Sequence, residues 1–247
     1  MGKRFKGKTC VYCAVAGASE TADHVLAREF VPIVHRPQIP QVPACRQCNK
    51  DKSDLEHYLT AVLPFGGRHA DAVANLKKDG PRRLAKNQKL HRSLARGSSR
   101  LWTKERSGLL VNALTVPIDG EKVEKLVGFI VRGLIWHHWK IVLGPDCFVD
   151  VLSLTERGEA LFNRYSRMNA KDRVRSNIGD GALAYEGAQG TDNPQVSVWE
   201  LSMFGGAKMA GADGAEFTSK FGVMTGPLAV KQRADDRIRR RAYILTV

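Results

Sequence analysis

The sequence predicts an α+β chain in three stretches: a cysteine-bearing module over residues 1–65, a basic helical linker over 66–107 and an α+β domain over 108–247. Three observations predict it. Two Cys-x-x-Cys pairs, Cys10/Cys13 and Cys45/Cys48, bracket about thirty residues that must carry structure of their own. Val123, Leu126, Val127, Ile130, Val131, Leu134 and Ile135 keep the three-and-four spacing of an amphipathic helix, expected from Glu121 to Leu143. Cys147 to Leu154 and Gln195 to Phe204 read instead as strands.

In chain order, the first eight residues carry Lys3, Arg4, Lys6 and Lys8 without an acid, either a solvated terminus or an arm for a phosphate backbone. A Cys-x-x-Cys turn aims two thiolates at one point, and two such turns supply the four soft ligands of a tetrahedral structural zinc. Cys10, Cys13, Cys45 and Cys48 are the expected set, with Cys147 left over. Disulfides are the competing use. The opening MGKRFKGKTC has no apolar core, so a reducing cytoplasm and a metal are expected. Thr21 to Val25 alternates as a strand, with Asp23 and His24 side by side and therefore on opposite faces. Pro32, Pro37, Pro40 and Pro43 make residues 25–44 an extended loop. Asn49 is expected to open a helix ending near Leu63, before Pro64 and Gly66-Gly67. A helix start favours anionic ligands such as phosphate.

The Asp23-His24 dipeptide and the Cys48-Asn49 junction, with the run Asn49-Lys50-Asp51-Lys52, resemble the HNH (His-Asn-His) nuclease family, whose site is the ββα-metal motif. The resemblance covers about fifty of the 247 residues. It implies a zinc-stapled ββα-metal module in which His24 is the general base and Asp23 and Asn49 bind one divalent cation, Mg2+ or Mn2+. The family's middle Asn is absent. Its place reads Ile39-Pro40-Gln41-Val42-Pro43, where Pro40 offers rigidity and Gln41 an amide.

The residue types suit that chemistry in their own right. Hydrolysis of a phosphodiester needs a water, a base to deprotonate it and a cation on the phosphate. Histidine titrates near neutrality, and carboxylate and amide oxygens are hard ligands for magnesium. His57, on the same helix, reads as a solvated face rather than a further ligand.

Net charge is +14 with a pI near 9.8, which points to a polyanionic partner. Lys77 to Arg106 holds eleven Lys or Arg against two acids, so most of that charge sits in one segment. Ala70 to Lys78 reads as helical before Gly80-Pro81, and a second helix or hinge follows as far as Gly97-Ser98-Ser99. Lys50, Lys52, Lys77, Lys78, Arg82, Arg83 and Lys86 are the expected phosphate contacts. Leu109 to Ile118 is an expected strand and Asp119-Gly120 a turn. His137 and His138, between Trp136 and Trp139, are expected to pack rather than bind. Thr155 to Met168 reads as a helix, residues 176–194 as loops around a short strand from Ala182 to Tyr185, Gly205 to Gly214 as a hairpin loop and Glu216 to Thr225 as a strand.

No run reaches the roughly 18 apolar residues of a membrane span. The expected activity is metal-dependent DNA endonuclease chemistry, with DNA and possibly RNA as partner. The alternatives are a zinc-stapled nucleic-acid-binding protein without catalysis and an RNA nuclease.

Overall fold

One helix, α3, ties two mixed layers together in the computed structural model, which describes residues 4–62, 85, 88–104, 108–167, 170–205, 209–210, 216–217 and 220–232. The order begins β1 (Thr21–His24), two 3-10 turns (Arg28–Phe30 and Ile33–Gln38), β2 (Gln41–Ala44) and α1 (Arg46–Val62). Next come α2 (Gln88–Gly97), the hairpin β3 (Ser99–Lys104) and β4 (Leu110–Thr115), and α3 (Gly120–Trp139). The C-terminal part adds β5 (Cys147–Ser153), α4 (Glu156–Ser166), β6 (Ala170–Ile178), β7 (Leu183–Gly190), β8 (Ser197–Met203), the short β9 (Met209–Ala210) and β10 (Glu216–Phe217), and β11 (Lys220–Pro227). The α+β class is as expected.

The proline-rich stretch is more structured than the extended loop expected of it. Gln41–Ala44 pairs antiparallel with Thr21–His24, and Pro43 is tolerated because a strand in a two-stranded sheet has a free edge. The Pro43 carbonyl still works, accepting from Val11 N at 3.0 Å. The helix expected from Asn49 starts three residues earlier, at Arg46.

Asp119 is a helix cap rather than a turn residue: its side chain accepts from Lys122 N. α3 ends at Trp139, where Lys140 takes a left-handed conformation, short of the expected Leu143. The seven apolar residues that predicted α3 are all buried on it, each contributing about 1.5–3 kcal/mol. α3 packs on both halves of the chain. Phe5 meets Trp136 and Tyr12 meets Phe129 edge-on. Asp119 N donates to Tyr58 Oη of α1 at 3.0 Å. On its other side lies the five-stranded antiparallel sheet, ordered β5-β11-β8-β7-β6. The stretches read as 1–65 and 108–247 therefore share one apolar core, from Cys10 to Val223.

Residues 176–194, expected to be loops around a short strand from Ala182 to Tyr185, hold more strand than that: 176–178 end β6 and Leu183–Gly190 is β7, while 179–182 and 191–194 lie outside the strands. β6 is an edge strand with charged, exposed side chains, so it lacks an apolar alternation to read. β7 carries small residues because Trp199 of β8, fully buried, lies over them. Gly187 is paired directly with Trp199, and a Cβ there would stand 2.5 Å from the indole. The linker expected to be helical is a helix only in part: from Ser99 it is a strand, paired with β4 across the expected boundary at residue 108. Glu216 to Thr225 is likewise split, into β10 and β11. The expected helix Ala70–Lys78, most of the Gly205–Gly214 loop and the basic tail beyond residue 232 lie outside the described residues. No helix among the described residues is long and apolar enough to cross a membrane.

Gly187→Ala is expected to cost about 1–3 kcal/mol of stability, because the indole has no space to retreat into. Urea denaturation checks this, and an unchanged midpoint would contradict the packing described.

Candidate metal centre and active site

The two Cys-x-x-Cys turns close on each other. The Sγ atoms of Cys10, Cys13, Cys45 and Cys48 all lie within 4.8 Å of one another, and Cys13 and Cys45 are 3.9 Å apart. A zinc tetrahedron with bonds of about 2.3 Å has edges of roughly 3.8 Å, so the set can hold a structural metal such as zinc. All five cysteines are free thiols, and Cys147 lies outside the cluster.

The fold builds this site at a helix start. Cys45 immediately precedes α1; its carbonyl accepts from Asn49 N and its sulfur from Cys48 N, at 3.0 and 3.4 Å. The positive end of the helix favours thiolate there. Burial alone would raise the Cys10 thiol, yet backbone N–H groups of Cys45, Cys13 and Tyr12 outweigh it and hold its pKa below the ordinary value. Cys13 and Cys48 are pushed upward, first by burial and then by neighbouring sulfurs. Four thiols packed together cannot all ionise in the absence of a cation, and a bound divalent ion removes that conflict.

Behind the cluster lies a buried polar network. Lys52 of α1 is fully buried. Its ammonium donates to the His24 carbonyl at 2.7 Å, pairs with Asp23 Oδ2 at 3.1 Å and bonds Glu56 one helical turn on. Three donors meet three acceptors, as a buried ammonium requires. Tyr12 Oη donates to the same Asp23 oxygen at 2.6 Å. Burial, then the Asp23 charge, raises the Tyr12 phenol well above its ordinary range, so it remains a donor. Burial lifts Glu56 to about 7, against the pull of Lys52. The expectation that Lys52 contacts phosphate is therefore corrected: its charge is consumed inside the module. Lys50, two residues earlier, is exposed.

The expected catalytic residues sit within one hairpin-and-helix unit but have separate partners. Asp23 is only 8 % exposed and turns toward α1. Both of its contacts fall on Oδ2, and Oδ1 takes no hydrogen bond from a described residue. His24 faces across the hairpin, where its register partner Gln41 places the amide nitrogen 2.9 Å from the imidazole Nε2. Burial lowers the His24 pKa and the nearby Arg28 guanidinium lowers it further, which favours the neutral ring. Asn49 donates to Thr21 Oγ1 at 3.3 Å, on the side of the unit where Lys52 meets Asp23. No hydrogen bond joins Asp23, His24 and Asn49 to one another among the described residues. His57 is exposed, as expected. Lys77, Lys78, Arg82, Arg83 and Lys86 lie outside the described residues.

Sequence reasoning missed Tyr12, Glu56 and Arg28. The spacing of Asn49, Lys52 and Glu56 at three and four residues was the available signal: it makes a polar stripe beside the apolar one of Leu55, Leu59 and Val62 on the same helix. No protein-family model, curated protein or solved structure matches this chain.

Two measurements probe the centre. Metal analysis of the purified protein is expected to give about one zinc per chain, lost in Cys48→Ser together with a fall in melting temperature. A wild-type protein that folds free of metal would contradict it. Lys52→Ala removes the ammonium that neutralises two enclosed carboxyl groups, Asp23 and Glu56, and is expected to cost about 3–5 kcal/mol in chemical denaturation.

Proposed function

We propose that the chain is a metal-dependent DNA endonuclease of the HNH type, with His24 as general base. One observation carries this reading: a β-hairpin and helix closed by four thiols present an imidazole whose ring is held by Gln41 and whose carbonyl is held by Lys52. The order strand, strand, helix and the Cys48-Asn49 junction at the helix start support the same family reading.

Gln41 then takes over the orienting duty of the absent middle Asn. The two ends of an amide occupy nearly equivalent positions. With its oxygen toward the ring, Gln41 accepts from Nε2–H and leaves the Nδ1 lone pair free to take a proton from water. Asp23 Oδ1 and the Asn49 side-chain oxygen are the hard donors suited to Mg2+ or Mn2+, and Tyr12 and Lys52 fix the carboxylate from behind. A bound cation supplies charge stabilisation at the phosphate and the leaving oxygen. Exposed Lys50 and Arg28 are placed to draw in the phosphodiester backbone.

A second reading has its own support. Asp23 is mostly buried and already paired with an ammonium, which suits a zinc-stapled nucleic-acid-binding module without catalysis. Plasmid nicking separates the two. His24→Ala is expected to lower magnesium- or manganese-dependent nicking by roughly 10²–10⁴ and to leave DNA affinity nearly unchanged. Gln41→Leu is expected to lose about ten-fold or more, and Gln41→Glu less. Wild-type protein that never nicks DNA with either metal would leave the binding module standing. Competition among duplex DNA, single-stranded DNA and RNA ranks the substrates.

A further inference from the structure

The β3–β4 hairpin presents a face that the core does not use. Register pairs Arg100 with Leu114 and Trp102 with Asn112, so these four share one side of the ribbon, and Leu110 follows on the same side of β4. All five are exposed, Trp102 to 67 %. The other three tryptophans, at 136, 139 and 199, are packed into the aromatic core.

The chain leading into that hairpin is cationic. Lys89, Arg92 and Arg96 of α2 are exposed, and residues 88–104 contain no acid. None of these three, nor Arg100, has an ion-pair partner among the described residues. Gly97 fixes the end of α2 near the end of β4, because its missing Cβ makes room for Pro117, whose Cγ would lie 2.7 Å away. The end of α2 and the base of the hairpin are thus held together. An exposed aromatic ring with an arginine on the same ribbon face, preceded by a helix with exposed cations, is complementary to a strand that offers both unstacked bases and phosphates. A closed duplex offers only the phosphates.

We propose that this hairpin face binds unpaired nucleic acid, with one base stacked on Trp102 and the flanking phosphates held by Arg100 and the α2 cations. The proposal rests on the nucleic-acid reading for its class of ligand, and on neither His24 nor a catalytic cation.

Fluorescence anisotropy in magnesium-free buffer tests it, with a labelled single-stranded oligonucleotide and a duplex of equal length. Wild-type protein is expected to prefer the single strand. Trp102→Ala is expected to weaken single-strand binding roughly ten-fold and leave duplex binding within about two-fold, while Trp102→Phe retains most of the affinity. Arg100→Gln is expected to reduce the slope of log affinity against log salt by about one. Because Trp102 is exposed, these variants are expected to melt with the wild type. The proposal is overturned if Trp102→Ala binds single strands like wild type, or weakens both ligands equally. It also falls if Trp102 governs binding to anionic phosphatidylserine vesicles, or self-association by light scattering, and not to the oligonucleotide. No cleavage is scored, so a wild type that binds but never nicks sinks the endonuclease reading alone.

Discussion

A buried ammonium is the constraint on which the N-terminal unit turns. Lys52 reaches from α1 into the hairpin, and its three donors are spent on the His24 carbonyl, Asp23 and Glu56. An ammonium with no access to water is costly unless every proton is placed, so strand and helix have one relative setting that satisfies it. That setting also fixes the Asp23 carboxylate, with Tyr12 as second anchor. The thiol cluster acts one turn earlier on the same helix, where Cys45 and Cys48 hold its first turn. Clamp and ammonium together leave α1 little freedom to slide along β1.

The chemistry-bearing cysteines were legible because metal ligation demands a fixed spacing, and the two Cys-x-x-Cys pairs do converge. α3 was legible for a related reason: a helix buried between two layers must keep an apolar period, and it does. The partner of His24 was half legible, since an amide at Gln41 was visible but its placement depends on the β1–β2 register. Lys52 was misread because a charged residue near a metal motif suggests a surface role, and only tertiary contacts reveal that Asp23 and Glu56 enclose it. β6 and β7 were hidden by polarity and small side chains. Their burial is set by Trp199, a residue of another strand, and no local pattern carries that information.

The charge distribution divides the labour along the chain. Positive residues of the module are partly internal, as Lys52 is, whereas Lys89, Arg92 and Arg96 of α2 and Arg100 of β3 face solvent without an ion-pair partner among the described residues. Net charge alone therefore overstates what the module offers to a polyanion and locates less of the attraction than the side chains do.

Gly133 brings the backbone of α3 close enough to Val25 that an added Cβ would stand 3.0 Å from its Cγ2, and Val25 directly follows His24. The chain next to the imidazole is consequently braced by a helix encoded more than a hundred residues downstream. An excised N-terminal fragment would expose Phe5, Tyr12 and Val25 to water and forfeit that brace. This module is not a portable cassette: whatever chemistry it performs is inherited from the intact chain.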